Sequence, residues 1–235
     1  MDLTKLIPDI RHLSEMKELL YDQEWAKTAP DSELYLMYRD LSGNPEDKEK
    51  INQSGLRYDI TVMMPVMLGK EYNKTSGHDH PVVPNTDITY TELYQVLEGE
   101  IVFLIQDSEK DEIKDVYAIK AKQGDKVIIP PNYEHLMVNA SGKEAKTANW
   151  ICRDFGSNIY KPFRSKQGFG YYALKDNSRI NWVKNENYSS VPELKFLEPN
   201  RLLEQFGLNK EKPIYQLVND LSKLDFLKTP QNYNW

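Results

Sequence analysis

Both the fold and a candidate site can be inferred from one stretch of the chain, which begins with Thr75-Ser76-Gly77-His78-Asp79-His80. It continues through Glu92-Leu93-Tyr94 and Gly99 and ends with Gly124-Asp125-Lys126-Val127-Ile128-Ile129-Pro130, His135 and Asn139. Three of the 4 histidines of the chain lie here, and the fourth, His12, lies far upstream. The stretch therefore gathers the residues that are best suited to chemistry.

The spacing of these residues predicts a metal site. Residues two apart on a β-strand point to the same face, so His78 and His80 should share a face, as should Glu92 and Tyr94. His135 begins a third apolar run of the same kind. Three imidazoles and one carboxylate on converging strands form a nitrogen and oxygen site for a divalent transition metal. The lack of cysteine ligands argues against a structural zinc site.

Composition and charge exclude several classes of protein. The 235 residues carry a net charge of −6 and are 40% hydrophobic, which suits a folded domain and gives no basic face for nucleic acid. No apolar run approaches the ~20 residues of a membrane span, and residues 1–17 do not resemble a signal peptide. With Cys152 as the 1 cysteine, no intrachain disulfide is possible. We therefore expect a cytoplasmic protein without a nucleic-acid or membrane partner.

Short apolar runs separated by turn residues predict a sandwich or a barrel. The predicted strands are residues 33–38, 58–68, 93–97, 101–106, 116–120, 126–129, 136–139 and 147–152, with two more around Tyr171 and Trp182. Residues 14–20, 202–206 and 214–224 have the spacing of short helices, whereas residues 41–54 are predicted to be a loop and residues 69–74 a link.

These elements suggest three parts. Residues 1–57 would contribute strands and a short helix that pack on a barrel, residues 58–188 would form the barrel with its metal site, and residues 189–235 would be a helical extension. The chain is thus predicted to be mainly β, with short helical additions at its two ends.

Two motifs resemble those of the cupin superfamily. The second cupin motif is matched at every position by Gly124, Pro130, His135 and Asn139, and the first resembles His78-x-His80 followed by Glu92 and Gly99. Cupins are small antiparallel jelly-roll barrels that hold a metal inside. Because this fold supports many chemistries, the match alone does not define a function.

A closer resemblance is to the cupin-type phosphoglucose isomerases of archaea, and it covers roughly residues 10–185. The similar segments are Arg11-His12-Leu13-Ser14-Glu15-Met16, Thr61-Val62-Met63-Met64-Pro65, Gly69-Lys70-Glu71-Tyr72, Thr75–His80, Glu92-Leu93-Tyr94, Pro130–His135 and Asp154-Phe155-Gly156. The resemblance implies a metal-dependent aldose–ketose isomerase of glycolysis and gluconeogenesis, which interconverts glucose 6-phosphate and fructose 6-phosphate. It also implies a homodimer.

The resemblance assigns roles to individual residues. The implied metal ligands are His78, His80, Glu92 and His135, and the implied substrate contacts are Thr61, Thr75, Gly77 and Tyr94. The phosphate site of this family uses threonine hydroxyls and backbone N–H groups, which suits an acidic protein.

The chain departs from the family at two places. Residues 81–87 form an insertion between the second histidine and the glutamate. Arg153 and Phe155 stand where the family has histidine and tyrosine. Because an arginine can bind phosphate through two parallel hydrogen bonds, Arg153 is predicted to be a further substrate contact.

Isomerisation moves hydrogen between C1 and C2 of an open-chain sugar, through either a cis-enediol or a direct hydride shift, and the sequence does not choose between them. Glu92 is the best candidate for a catalytic base, and Tyr94 is predicted to orient the sugar or relay a proton. Fe²⁺ is the first choice of metal, although Mn²⁺, Ni²⁺ and Zn²⁺ also suit these ligands.

Other interpretations stay open. An iron-dependent dioxygenase, an isomerase of another sugar phosphate and a sugar-binding cupin without catalysis all suit the same ligands. Purely structural roles also stay open for the candidate site residues. Tyr94 could pack in the core, and Thr61 and Thr75 could simply occupy β-branched strand positions. Glu92 could form a salt bridge at the barrel mouth, and Arg153 could form a surface ion pair.

Overall fold

The computed structural model describes residues 1–154, 158–177 and 179–235. In these ranges the strands are, in chain order, β1 (Asp9–His12), β2 (Glu33–Tyr38), β3 (Leu56–Met63), β4 (Met67–Leu68), β5 (Glu71–Lys74), β6 (Glu92–Glu98), β7 (Glu100–Glu109), β8 (Glu112–Lys122), β9 (Lys126–Ile129), β10 (Glu134–Asn139), β11 (Ala145–Cys152), β12 (Tyr171–Asp176), β13 (Arg179–Lys184) and β14 (Lys195–Leu197).

Two sheets form the centre of the fold. One contains the order β3-β11-β6-β9 and the other contains β5-β10-β7-β8, and all these neighbours are antiparallel. Chain segments that alternate between two four-stranded sheets in this order form a jelly roll. The predicted mainly β jelly-roll fold is therefore confirmed.

The remaining strands widen both sheets. β1 and β2 extend the first sheet beyond β3, whereas β12 and β13 extend the second beyond β5. β14 pairs in parallel with β8 at the opposite edge, and β4 pairs with β5.

The alternation along β6 shows how the sequence positions the site. Glu92 and Tyr94 point to the space between the sheets, in line with Val96, which belongs to the central core. Leu93 points the opposite way, into a second apolar cluster on the outer face of the first sheet. Since side chains alternate on a strand, one short strand supplies both the site and the outer packing.

The outer face of the first sheet is covered by the chain that follows β14. Apolar residues of this segment, including Leu203, Phe206 and Leu224, are buried against Tyr58 and Trp150. We call residues 198–235 the tail. Its helical turns are 3-10 helices at Glu204–Phe206, Ile214–Asn219, Leu221–Leu227 and Pro230–Asn232.

The α-helices of the described residues are short: α1 (Gln23–Thr28), α2 (Pro45–Gln53) and α3 (Lys161–Ser165). Further 3-10 helices lie at Leu3–Lys5, Leu13–Glu15 and Lys17–Leu19. None of the described helices is long and apolar enough to cross a membrane.

Two sequence predictions of local structure are wrong. The predicted loop 41–54 contains α2, which is capped by Asn44. The Asn44 side chain accepts a hydrogen bond from the Asp47 N–H at 2.8 Å. The predicted link 69–74 contains β5, whose charged residues Glu71 and Lys74 are buried as an ion pair. Lys74 also donates to the Leu19 carbonyl at 2.8 Å. These paired charges explain how a polar segment forms an inner strand.

Candidate metal and substrate site

His78, His80, Glu92 and His135 converge on one point between the sheets. One ligand atom from each residue can be chosen so that all lie within 4.8 Å of one another. The Nε2 atoms of His80 and His135 are each 3.2 Å from the Glu92 Oε2 atom, and that of His78 is 3.9 Å away. The fold thus brings together the set that strand alternation predicted.

The local backbone differs from the prediction at the first two ligands. His78 and His80 lie between β5 and β6 and not within a regular strand. His78 is nevertheless fixed, because its N–H donates to the His135 carbonyl at 3.1 Å and its carbonyl accepts from the His135 N–H at 3.0 Å. This isolated bridge joins two of the four candidate ligands directly.

A hydrogen bond orients the ring of His80. Its Nδ1 is 2.9 Å from the Tyr90 carbonyl oxygen, which can only accept. Nδ1 therefore carries the proton, and the Nε2 lone pair faces the cluster. A ligand histidine is commonly oriented in this way by a carbonyl behind it.

The protonation states also suit a metal. Burial and the neighbouring imidazoles of His135 and His80 lower the pKa of His78, and burial lowers the pKa of His135. Burial alone would raise the pKa of Glu92, but its contacts with the imidazoles of His135 and His80 hold that pKa below its usual range. A carboxylate beside neutral imidazoles is the form that binds a cation, so the residues present fit a divalent metal.

Tyr94 lies beside the cluster, one inward position after Glu92. Its hydroxyl is 3.3 Å from the His135 Nε2 atom. Burial, together with the Glu92 carboxylate, raises the pKa of Tyr94 well above its ordinary value. The phenol therefore stays protonated at neutral pH and is available as a hydrogen-bond donor.

The cluster opens into a pocket of about 630 Å³, including its mouth. Thr61 and Thr75, which the sequence analysis predicted to contact the substrate, both line this pocket. The Thr75 hydroxyl accepts from the Met137 N–H at 3.0 Å, which holds it against the inner strand β10. The two threonine hydroxyls therefore add polar groups to the lining of the pocket.

Gly77 lies between Thr75 and His78 in a conformation that requires glycine. Its φ is +72°, and a Cβ atom there would come within 2.3 Å of Phe169 Cε2. The aromatic ring of Phe169 is buried and rests on Phe163. Because it has no side chain, Gly77 lets the backbone pass close to the Phe169 ring. Thr75 and His78, near it in the chain, line the pocket.

We predict that Gly77→Ala lowers the free energy of unfolding by more than Gly142→Ala does. Both positions have positive φ, +72° and +69°, which costs an L-residue about 1–2 kcal/mol. Only Gly77 has a clash, and overpacking adds roughly 1–3 kcal/mol. Urea unfolding of both variants measures the difference, and equal losses would contradict the packing role of Gly77.

Arg153 lies outside the residues that line the pocket. Its guanidinium donates to the Asp40 carboxylate and, at 3.2 Å, to the Leu56 carbonyl. The hydrogen bond from Arg153 lowers the pKa of Asp40 to about 2. Phe155, the other departure from the family, falls outside the described residues. Substrate binding by Arg153 stays a prediction, and its position does not favour it.

The sequence prediction missed several polar residues that line the pocket, among them Arg11, Arg39, Arg57, Asn158 and Tyr160. The three arginines come from β1, from the end of β2 and from β3. They are 18 or more positions apart in the sequence, so only the pairing of these strands brings them together. The ring of Tyr160 lies 6.1 Å from that of His78.

The jelly roll and its cluster of three histidines and one glutamate define a cupin-type protein with a candidate metal site on its inner face. A family model described as "Glucose-6-phosphate isomerase (GPI)" matches residues 10–192. The chain therefore belongs to the glucose-6-phosphate isomerase family, in agreement with the resemblance noted above.

Relatives of known name are similar over most of their length. The chain is 26% identical to a glucose-6-phosphate isomerase of Pyrococcus furiosus, over 76% of this chain and 87% of the relative. It is 29% identical to one of Thermococcus litoralis, over 73% of this chain and 82% of the relative. Among solved structures, an oxalate oxidase in complex with glycolate superposes with a TM-score of 0.40 at 17% identity, over 54% of each chain.

Proposed function

We propose that this chain is a metal-dependent isomerase that interconverts glucose 6-phosphate and fructose 6-phosphate. The observation that carries the proposal is the buried cluster of His78, His80, Glu92 and His135 in a polar pocket of a chain from this family. The same four residues would hold one divalent metal ion. When bound, the metal would supply Lewis-acid polarisation of the sugar oxygens.

The protein residues have separate tasks in this proposal. Tyr94, which keeps its proton, donates a hydrogen bond to a sugar oxygen beside the cluster. Glu92 is the candidate base through whichever carboxylate oxygen is not engaged with a cation. Thr61, Thr75 and the backbone at Gly77 contact the rest of the substrate.

Several finer predictions stay with this proposal. Fe²⁺ is the first metal to test. The cytoplasmic location is predicted from composition, and the place in glycolysis and gluconeogenesis follows from the resemblance alone. The homodimer stays a prediction from the resemblance, and the apolar residues of the tail are buried against the chain's own sheet.

The test is an isomerase assay on chelated protein reloaded with Fe²⁺, Mn²⁺, Ni²⁺ or Zn²⁺ in parallel. We expect glucose 6-phosphate to form from fructose 6-phosphate only with metal, and mannose 6-phosphate and ribose 5-phosphate serve as competing substrates. Oxygen uptake is followed in the same samples. Folded, metal-loaded protein that gives no product with any metal would overturn the proposal, and oxygen consumption would point to a dioxygenase.

A further inference from the structure

Three arginines line the pocket, and two of them face the buried carboxylate of Asp59. Arg57 binds both oxygens of the buried Asp59, with Nε 3.0 Å from each and Nη2 2.9 Å from Oδ2. Arg39 donates from Nε to Asp9 at 3.0 Å and has Nη1 3.7 Å from Asp59. These two guanidinium groups neutralise a buried carboxylate that would otherwise repel an anion.

Arg11 differs from the other two arginines. Its Nη1 donates to Glu15 at 2.8 Å, and its side chain is only 19% exposed. Among the described residues, its Nε has no hydrogen-bond partner, although the atom is buried. A buried donor without an acceptor is costly, and the oxygen of a bound anion would satisfy it.

Arg11 is also held next to the chain segment that precedes the candidate metal ligand His78. It pairs with Tyr35 across β1 and β2, and its Cζ atom is 6.0 Å from the centre of the Tyr35 ring. The Tyr35 hydroxyl contacts Ser76, 3.4 Å from its Oγ and 3.3 Å from its N–H. Arg11 is therefore fixed through Tyr35 beside Ser76, which stands between Thr75 and Gly77.

We infer that Arg11 binds the phosphate monoester of a sugar substrate whose carbonyl end lies at the candidate metal ligands His78, His80, Glu92 and His135. This inference rests on the proposed function for the identity of the substrate. The guanidinium has donors left over from its bond to Glu15, and a phosphate accepts such donors through parallel hydrogen bonds. Arg11 thus becomes the main source of affinity for a phosphorylated over an unphosphorylated sugar.

The test compares Arg11→Met and Arg11→Lys with Arg179→Met, which removes an exposed guanidinium on the edge strand β13, outside the pocket. On metal-loaded protein, calorimetry measures the affinity for fructose 6-phosphate and for inorganic phosphate, and the assay gives KM and kcat. Because charged hydrogen bonds are lost, Arg11→Met should weaken both affinities and raise KM on the order of 10- to 100-fold. We expect kcat and metal content to change little, Arg11→Lys to be intermediate and Arg179→Met to match the wild type.

Each result separates the two proposals. Isomerase activity with unchanged KM and phosphate affinity in both Arg11 variants would overturn the inference and leave the function in place. Phosphate binding that depends on Arg11, without isomerase activity in the wild type, would support an anion site and overturn the function. Equal losses in Arg179→Met and Arg11→Met would overturn the special role of Arg11. If Arg11→Met does not fold, Arg11→Lys decides through the same affinities.

Discussion

Glu92→Gln is expected to remove most of the bound metal and nearly all isomerase activity. The substitution keeps the shape of the side chain but removes the negative charge that lies 3.2 Å from two imidazoles. Changes around metal ligands cost 10- to 100-fold in affinity even when they lie behind the ligand, so loss of the anionic ligand itself should cost at least ~100-fold. Loss of Lewis-acid stabilisation lowers the rate by about a thousandfold or more.

Glu98→Gln is the matched control, because Glu98 is an exposed residue at the far end of the same strand and its carboxylate pairs with Lys146. Metal content after dialysis and initial rates with fructose 6-phosphate measure both variants. Full metal content and activity in Glu92→Gln would show that this carboxylate is not a ligand. Equal losses of metal and activity in the two variants would show that the cause is disruption of strand β6 and not removal of the carboxylate from the site.

Trp150→Ala is expected to lower the free energy of unfolding by about 3–5 kcal/mol, the usual cost of removing a buried large aromatic side chain. Trp150 is 0% exposed. Its ring lies 4.9 Å from that of Tyr58 and stacks on Tyr215 of the tail. Its Nε1 donates to the Ile214 carbonyl at 2.8 Å, so the residue joins the sheet to its cover.

Trp150→Phe should lose less, roughly 1–3 kcal/mol, since the ring is partly kept and mainly the Ile214 carbonyl loses its donor. Trp182→Ala on the edge strand β13 is the control, because that side chain is only half-buried. Urea unfolding gives all three values. A loss of less than about 1 kcal/mol in Trp150→Ala, or an equal loss in Trp182→Ala, would contradict the role of Trp150 in holding the tail.

The inner strands were predictable because they are short apolar runs bounded by turn residues. Residues 126–129 and 33–38 have the predicted bounds, and both ends of β6, which carries Glu92, lie within one residue of the prediction. The candidate ligand set could also be predicted from spacing, since His135 and Glu92 lie on strands that the jelly roll brings face to face. A short apolar run bounded by turn residues is thus informative for a strand that is buried on both faces, as residues 126–129 are.

The misses have physical causes of two kinds. The helix α2 had a start signal in Asn44-Pro45, but its strongly polar composition resembled a loop. β5 is buried through the Glu71–Lys74 ion pair, which a hydrophobic pattern does not reveal. Arg11 entered the prediction only as part of a resemblance. Its place in the pocket depends on the pairing of β1 with β2, and no local pattern encodes that register.

Because the tail covers the outer face of the first sheet, that face is shielded only after the last part of the chain has been made. Thr91, the residue before Glu92, donates to the Phe226 carbonyl at 3.0 Å, a contact between residues 135 positions apart. At a synthesis rate of about 5–20 residues per second, β6 leaves the ribosome roughly 7–27 s before Phe226 does. During each round of translation the apolar outer face of the nascent barrel is therefore open to chaperones and to neighbouring chains on the same polysome. Contacts of such long range also form slowly, so docking of the tail is the step at which the newly made chain is withdrawn from those encounters.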